Sequence, residues 1–268
     1  MTMANHLLDD FTIRDFIISG HLVLHPAFRP GFHENVYADI EALYSTQGNP
    51  GNGIYEAVPR LREVFEHAEL NGAMQSLLGE DIVMHHHRHG HLSRPGDTPS
   101  WWHQDDVNQR DYQIRRLLVM YYPQDVSAEM APTIIMPGTQ YRNAPTSRMR
   151  SYGNLRDQKP LIVEAGTVVI AHYDIWHARA VNRGHCNRYM MKFIFDRSGE
   201  PAIPSWNHDP ANEPEVRQSF IHTRLPFESQ TDHYKQVTIR CKVWNWLKSG
   251  SPQPAPGAPE ETVITYYR

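Results

Sequence analysis

From Asp81 to Asp196 the chain is written as short extended runs with no helical segment between them, and this pattern limits the fold more than any other feature. The runs are Ile82 to His87, Arg116 to Tyr122, Thr133 to Met136, Pro160 to Glu164, Thr167 to His172 and Tyr189 to Asp196. They are separated by turn-forming connections such as Arg94-Pro-Gly-Asp97, Met136-Pro-Gly-Thr139 and Glu164-Ala-Gly166, where glycine and proline set the backbone angles of a reversal. A parallel α/β sheet needs a helix in each crossover. Strands joined by turns instead predict an antiparallel double sheet: a mainly β fold with flanking helices and a double-stranded β-helix, or cupin-like jelly-roll, core.

The flanks read differently. Phe11 to Leu24 is a short helix broken at Ser19-Gly20 and followed by a strand. Val36, Ile40, Leu43 and Tyr44 share one helical face, and the Pro59 to Leu78 segment stops at Gly79. The expected layout is one domain over 1–268, with a helical N-terminal third (11–79), a jelly-roll core (about 81–197), and a C-terminal helix with a Pro-rich tail (198–268). Within the last part a helix is expected from about Thr231 to Lys248, a stiff extended linker over 249–259, and a β-prone end over 262–268.

The chain has 268 residues, 40% of them hydrophobic, so it can bury one substantial core. Its formal charge of −4 provides no field to attract a phosphate backbone, which argues against nucleic acid as a partner. Two cysteines, Cys186 and Cys241, make no disulfide framework. No apolar run approaches the roughly 18 residues of a membrane span, since Leu117 to Tyr122 halts at Pro123. A cytoplasmic protein is expected, acting on a small molecule away from membranes, with a homodimer compatible. Histidine is the outlier at 17 residues, six of them His85, His86, His87, His89, His91 and His103. Such tracts can bind metal without doing chemistry, and alternation along a strand would split the first five between two faces.

Chemistry concentrates in Ser100-Trp-Trp-His-Gln-Asp-Asp106. His103 and Asp105 stand at i and i+2, so on a strand both side chains leave from the same face. Taken alone, an H-x-D is more often a polar strand end than a ligand pair. Farther along, His177 follows the strand-like Thr167-Val-Val-Ile-Ala171, and Arg188 heads Tyr189 to Phe195 eleven residues later. Two imidazoles and a carboxylate hold one face of an octahedral Fe(II) and leave the other open. The planar guanidinium of an arginine grips a carboxylate through paired hydrogen bonds. His172 and His185 are alternative third ligands in other registers.

In these segments the chain resembles the phytanoyl-CoA dioxygenase family of Fe(II)/2-oxoglutarate oxygenases. The likeness runs from Phe16-Ile-Ile-Ser-Gly-His-Leu-Val-Leu24 to about residue 197. It is carried by Leu77-Leu-Gly-Glu80, Arg94-Pro-Gly96, Trp102-His-Gln-Asp105, Ile134-Ile-Met-Pro-Gly-Thr139, Ala165-Gly-Thr-Val-Val169 and His177 to Arg188. The resemblance implies His103, Asp105 and His177 as iron ligands, favouring His177 over His172, and Arg188 as the anchor of 2-oxoglutarate. It further implies supporting contacts from Gln104, Tyr121 and His85. Two positions depart from the pattern. Arg179 stands where the family often has a hydroxyl residue and is expected either to share in carboxylate binding or to meet the substrate, and Gln140 replaces a common histidine.

What the resemblance implies for activity is consumption of O2 and 2-oxoglutarate, release of succinate and CO2, and oxidation of a substrate C–H bond. Related halogenases carry a small residue at the position of Asp105, so hydroxylation is expected here, with dealkylation or desaturation as variants. No basic cluster suits the phosphates of a CoA thioester, and a small metabolite or natural-product intermediate is the expected substrate. Trp102, Arg142 and Trp176 are candidate substrate contacts, with Trp101, Tyr141 and Trp206 also near expected loops, and Arg148 and Arg150 can meet a carboxylate. For each aromatic residue core packing is the competing role. The second functional class is a non-redox cupin-like protein in which Zn or Mn serves isomerisation, hydrolysis or binding.

Overall fold

The computed structural model describes residues 6–106, 112–144 and 146–253. The Pro-rich tail past residue 253, including the expected strand at 262–268, lies outside the described residues.

The helices are α1 (Asp10–Ser19), α2 (Phe32–Thr46), the short α3 (Ile54–Ala57) and α4 (Arg60–Phe65), α5 (Ala68–Leu78), α6 (Thr146–Met149), α7 (Glu213–His222) and α8 (Gln230–Ser249). The strands are β1 (His21–Leu24), β2 (Ile82–Ser93), β3 (Arg116–Tyr121), β4 (Thr133–Met136), β5 (Lys159–Pro160), β6 (Val168–His172), β7 (Trp176–Arg179) and β8 (Arg188–Arg197). The helical N-terminal part and the strand-built middle therefore stand where expected. Helix α7 is an additional element ahead of the expected C-terminal helix, and the expected strand from Pro160 to Glu164 shrinks to the two residues of β5 plus a bridge between Val126 and Val163.

Two antiparallel sheets form the core: five strands in the order β1-β6-β3-β8-β2, and three in the order β5-β4-β7. This is the double-stranded β-helix. The period-two alternation of β3, β6 and β8 divides their residues cleanly. Leu117, Val119, Tyr121, Ile170, Tyr189, Met191 and Phe193 pack outward with the helices in the main core. Leu118, Met120, Tyr122, Val169, Ala171 and Met190 pack inward with Ile135 of the smaller sheet. On β8 the inward set also includes Arg188 and Lys192, at i and i+4.

Long-range polar clamps fix the helices on the sheet. Buried Asp10 accepts hydrogen bonds from Trp206 Nε1 (2.7 Å), the Asp209 amide (2.8 Å) and Asn212 Nδ2 (3.1 Å), tying the start of α1 to the segment before α7. Gln140 donates from Nε2 to the Ile17 carbonyl (2.9 Å) at the end of α1. Its amide lies where a Cβ on Gly20 would sit, 2.5 Å from Oε1, and Gly20 has a φ of 78°. Glycine is required there by both space and backbone angle. Among the described residues no helix is long and apolar enough to cross a membrane.

Candidate metal centre

His177 is the second residue of β7, and His103 makes an antiparallel bridge to it, each amide donating to the other's carbonyl at 3.0 Å. The segment before residue 103 thus extends the smaller sheet, with Ser100 bonded to Arg179. The bridge puts the two imidazoles on the same face, 4.2 Å between ring centroids, and the i, i+2 spacing brings Asp105 to them. Its Oδ1 is 3.7 Å from His103 Nε2 and its Oδ2 is 3.7 Å from His177 Nε2. One ligand atom from each of the three lies within 4.8 Å of the other two.

The local hydrogen bonds fit a metal. His103 Nδ1 lies 2.8 Å from the Trp101 carbonyl and His177 Nδ1 3.0 Å from the Ile175 carbonyl. Nδ1–H donates to the carbonyl in each case, so both Nε2 lone pairs face the centre, as in metal-bound histidines. Burial drives His177 down to about 4, which keeps it neutral at physiological pH. Burial pushes Asp105 up, but attraction to His177, to the Lys192 ammonium and to His103 outweighs it and holds the carboxyl below its usual range. A negative oxygen and two imidazoles whose Nε2 atoms face it form a metal-ready donor set. His172, the competing histidine, is buried on the opposite face of β6 near Tyr141 and Asp174.

Arg188 is only 1% exposed, and no acid faces it among the described residues. Its Nε and Nη2 both donate to the Ala131 carbonyl, at 3.1 and 2.5 Å, while Nη1 is buried with no partner. Ala131 holds that carbonyl in place from a φ of 48°, a region alanine occupies only at a cost of roughly 1–2 kcal/mol. Burial lowers Arg188 to about 10, with Tyr122 opposing the shift and Arg179 adding to it. It remains charged at neutral pH, and a buried cation whose Nη1 has no partner calls for an anion. Among the described residues none supplies it, so a carboxylate from outside fits.

Around this cation the structure redistributes the expected supporting roles. Arg179, two residues past His177 and so on its face, adds its charge near Arg188 while giving Nη2 to the Thr98 carbonyl (2.6 Å). Tyr121 does not reach the site: it is an outward residue of β3 and bonds His33 at 2.8 Å. Its neighbour Tyr122 is the inward one, buried beside Arg188. His85 is displaced as well, because a register shift between Met84 and Arg88 breaks alternation and leaves it beside Asp196. Past the shift His91 pairs with Met190 and Ser93 with Arg188. His91 is half-buried, with its Nε2 enclosed and unpartnered, near Lys192, Arg188 and His177.

Gln104 supports the ligands from behind. Its Nε2 donates to the carbonyls of Arg142 (2.9 Å) and Asp174 (3.0 Å), and Oε1 accepts from the Ala144 amide (3.1 Å). With every polar atom so committed it holds the ligand strand and has nothing left for a cofactor. The three candidate substrate contacts are also structural. Trp102 is buried and donates to the Gly153 carbonyl, Trp176 donates to the Arg142 carbonyl, and the Arg142 guanidinium pairs with buried Glu228. Trp206 is core. Trp101, 63% exposed, instead lines a cavity of about 390 Å³ with His103, Asp105 and Arg150.

Lys192 escaped the sequence reading. Its Nζ lies 2.6 Å from Asp105 Oδ2. The signal was present: a lone cation in the apolar run Tyr189 to Phe195, in phase with Arg188.

The fold has many solved counterparts. The carbocyclase SnoK from nogalamycin biosynthesis is similar over 77% of this chain and 90% of its own, with a TM-score of 0.58 and 15% identity. HygX from Streptomyces hygroscopicus, solved with nickel and 2-oxoglutarate bound, gives 0.58 and 15% over 78% and 94%. The non-haem monooxygenase ThoJ, solved as a nickel complex, gives 0.56 and 17% over 86% and 97%. At these identities the likeness is one of fold. No curated protein sequence matches the chain. The sequence profile described as phytanoyl-CoA dioxygenase (PhyH) matches residues 37–190, more than half the chain and the whole of the ligand region. The protein belongs to the phytanoyl-CoA dioxygenase family.

Proposed function

We propose that this protein is a non-haem Fe(II)- and 2-oxoglutarate-dependent oxygenase that hydroxylates, dealkylates or desaturates a small-molecule metabolite or natural-product intermediate, acting as a single domain. The observation that carries the reading is the buried Arg188, with Nη1 unpartnered and no acid to meet it among the described residues, in the same sheet core as His103, Asp105 and His177. Iron, 2-oxoglutarate and O2 bound together supply the oxidising chemistry, with succinate and CO2 released.

The chain's part is to bind, orient and exclude water. His103, Asp105 and His177 would hold iron on one face, and their committed Nδ1 atoms fix the ring orientations. Arg188 would grip the distal carboxylate of 2-oxoglutarate through Nη1, in an apolar wall made by Met120, Met190 and Tyr122 where a charge-assisted bond is strong. Lys192 holds Asp105 by Oδ2. The second reading, a Zn or Mn cupin without redox chemistry, gives the buried Arg188 cation nothing to do. Because the solved counterparts include both a carbocyclase and a monooxygenase, the outcome of the oxidation rests with the substrate cavity.

The test is incubation of the iron-loaded protein with 2-oxoglutarate, O2 and a metabolite library, reading succinate and product mass. Succinate with gain of an oxygen, loss of two hydrogens or loss of a small carbon fragment is expected. Absence of 2-oxoglutarate consumption by a fully iron-loaded protein across the library and without substrate would contradict the proposal.

A further inference from the structure

A second cavity of about 670 Å³ lies along the smaller sheet and the segment from Arg150 to Asn154. It shares Ser100, Trp101 and Arg150 with the smaller cavity that reaches His103 and Asp105. Together they make one continuous cleft that ends at the ligands. The lining of the larger cavity carries three arginines, Arg150, Arg179 and Arg183, and no aspartate or glutamate among the described residues; the acid of the smaller cavity is Asp105, at the end where the candidate ligands meet. In a chain with net charge −4, a wall with three cations and no acids is a local reversal of sign, and such clefts concentrate anions.

The details strengthen this. Arg150 and Arg183 are exposed, and among the described residues neither guanidinium has a hydrogen bond or ion pair. Arg179 has Nε buried without a partner. Trp101 is 63% and Tyr152 52% exposed. Large aromatic side chains left in water on a cavity wall mark a surface that a ligand covers, and backing from Trp102, Ile134 and Ala178 supplies a firm apolar floor. Scattered surface charge would show acids interspersed with the arginines, which this wall lacks.

From this cleft we infer that the substrate is an anionic, ring-bearing small molecule, its ring against Trp101 and Tyr152, its anionic group on Arg150 and Arg183, and its reacting end toward His103 and Asp105. The inference rests on the oxygenase reading for what happens at the ligands, but binding in the cleft does not. Carboxylate and phosphate share the chemistry that the guanidiniums recognise.

The experiment uses the full chain loaded with Ni(II) and 2-oxoglutarate, which is redox-silent and has the Arg188 position filled. Calorimetry with 1-naphthoate, 1-naphthyl phosphate and the neutral 1-naphthamide measures the preference for charge. At least one anion is expected to bind about tenfold or more tightly than the amide, and which of the two binds better identifies the anionic group. Arg150→Gln with Arg183→Gln is expected to erase the preference, and Trp101→Ala to weaken anion and amide alike by about tenfold. Equal binding of all three probes to the unaltered protein, or a preference that survives the double arginine variant, would overturn the inference. Ni(II) and 2-oxoglutarate loading is measured separately in the same protein. Normal loading without anion preference sinks the cleft alone, and anion preference without loading sinks the oxygenase reading alone.

Discussion

Lys192 Nζ sits 2.6 Å from Asp105 Oδ2, on the oxygen that also faces His177 Nε2 at 3.7 Å. The Lys192 side chain is 8% and the Asp105 side chain 13% exposed, so this is a largely buried pair. Breaking such a pair leaves a charge without compensation. Lys192→Met is expected to lower the stability of the metal-free protein by about 3 kcal/mol. A divalent ion restores what the variant lacks, so Ni(II) should raise the melting temperature more in Lys192→Met than in the parent. Identical melting of the two metal-free proteins would show that the pair contributes nothing.

Gln104 joins the ligand strand to the backbone at Arg142, Ala144 and Asp174. Replacing it with leucine keeps the volume and removes all three bonds. Supporting residues of this kind change metal affinity by about 10–100-fold. Gln104→Leu is expected to weaken Ni(II) binding within that range while the fold persists by circular dichroism. Unchanged affinity would reduce Gln104 to a loop clamp.

Acid should unfold the metal-free protein well above the carboxylate range. Burial drives His21, His89, His172 and His177 each down to about 4, whereas an unfolded histidine takes its proton near 6.5. Between those values the unfolded chain binds more protons, so stability present above about 6.5 is lost as pH falls toward 4. The two most deeply buried, His172 and His177, can each contribute up to about 1.4 kcal/mol per pH unit. Asp174 runs the other way: burial, with Asp106 and Asp105 adding, pushes it up to about 7, so its contribution is lost as pH rises through 7. One group against four leaves a net loss toward acid, read by urea unfolding at about pH 7 and about pH 5. Equal stability at the two would contradict the burial of these rings in neutral form.

That His103 and Asp105 leave one strand face was legible from their i, i+2 spacing, and His177 does join them in space, but choosing His177 over His172 and giving Arg188 a role rested on the family resemblance, because spacing alone leaves those registers open. Tyr121 and His85, expected beside the site from the resemblance, lie elsewhere in the structure. A shift of one residue exchanges faces on a strand, and so Tyr122, not Tyr121, faces the space between the sheets beside Arg188. The register shift at Met84/Arg88 moves the useful phase to His91, and no sequence pattern marks it. Arg142, Trp102 and Trp176 stand near the ligands in sequence, yet their partners Glu228, Gly153 and the Arg142 carbonyl lie up to 86 residues away. Such pairings appear only once the chain has folded.

The account turns on Arg188 and the triad forming one site for a metal and a dicarboxylic acid. Anaerobic titration of the Fe(II)-loaded protein with 2-oxoglutarate, followed by its weak visible charge-transfer absorption, tests this directly. One 2-oxoglutarate per iron is expected, with affinity falling about 10–100-fold in Arg188→Met while Fe(II) binding is retained. No absorption band together with tight retention of Zn, or an Arg188→Met variant that binds 2-oxoglutarate as the parent does, would contradict it.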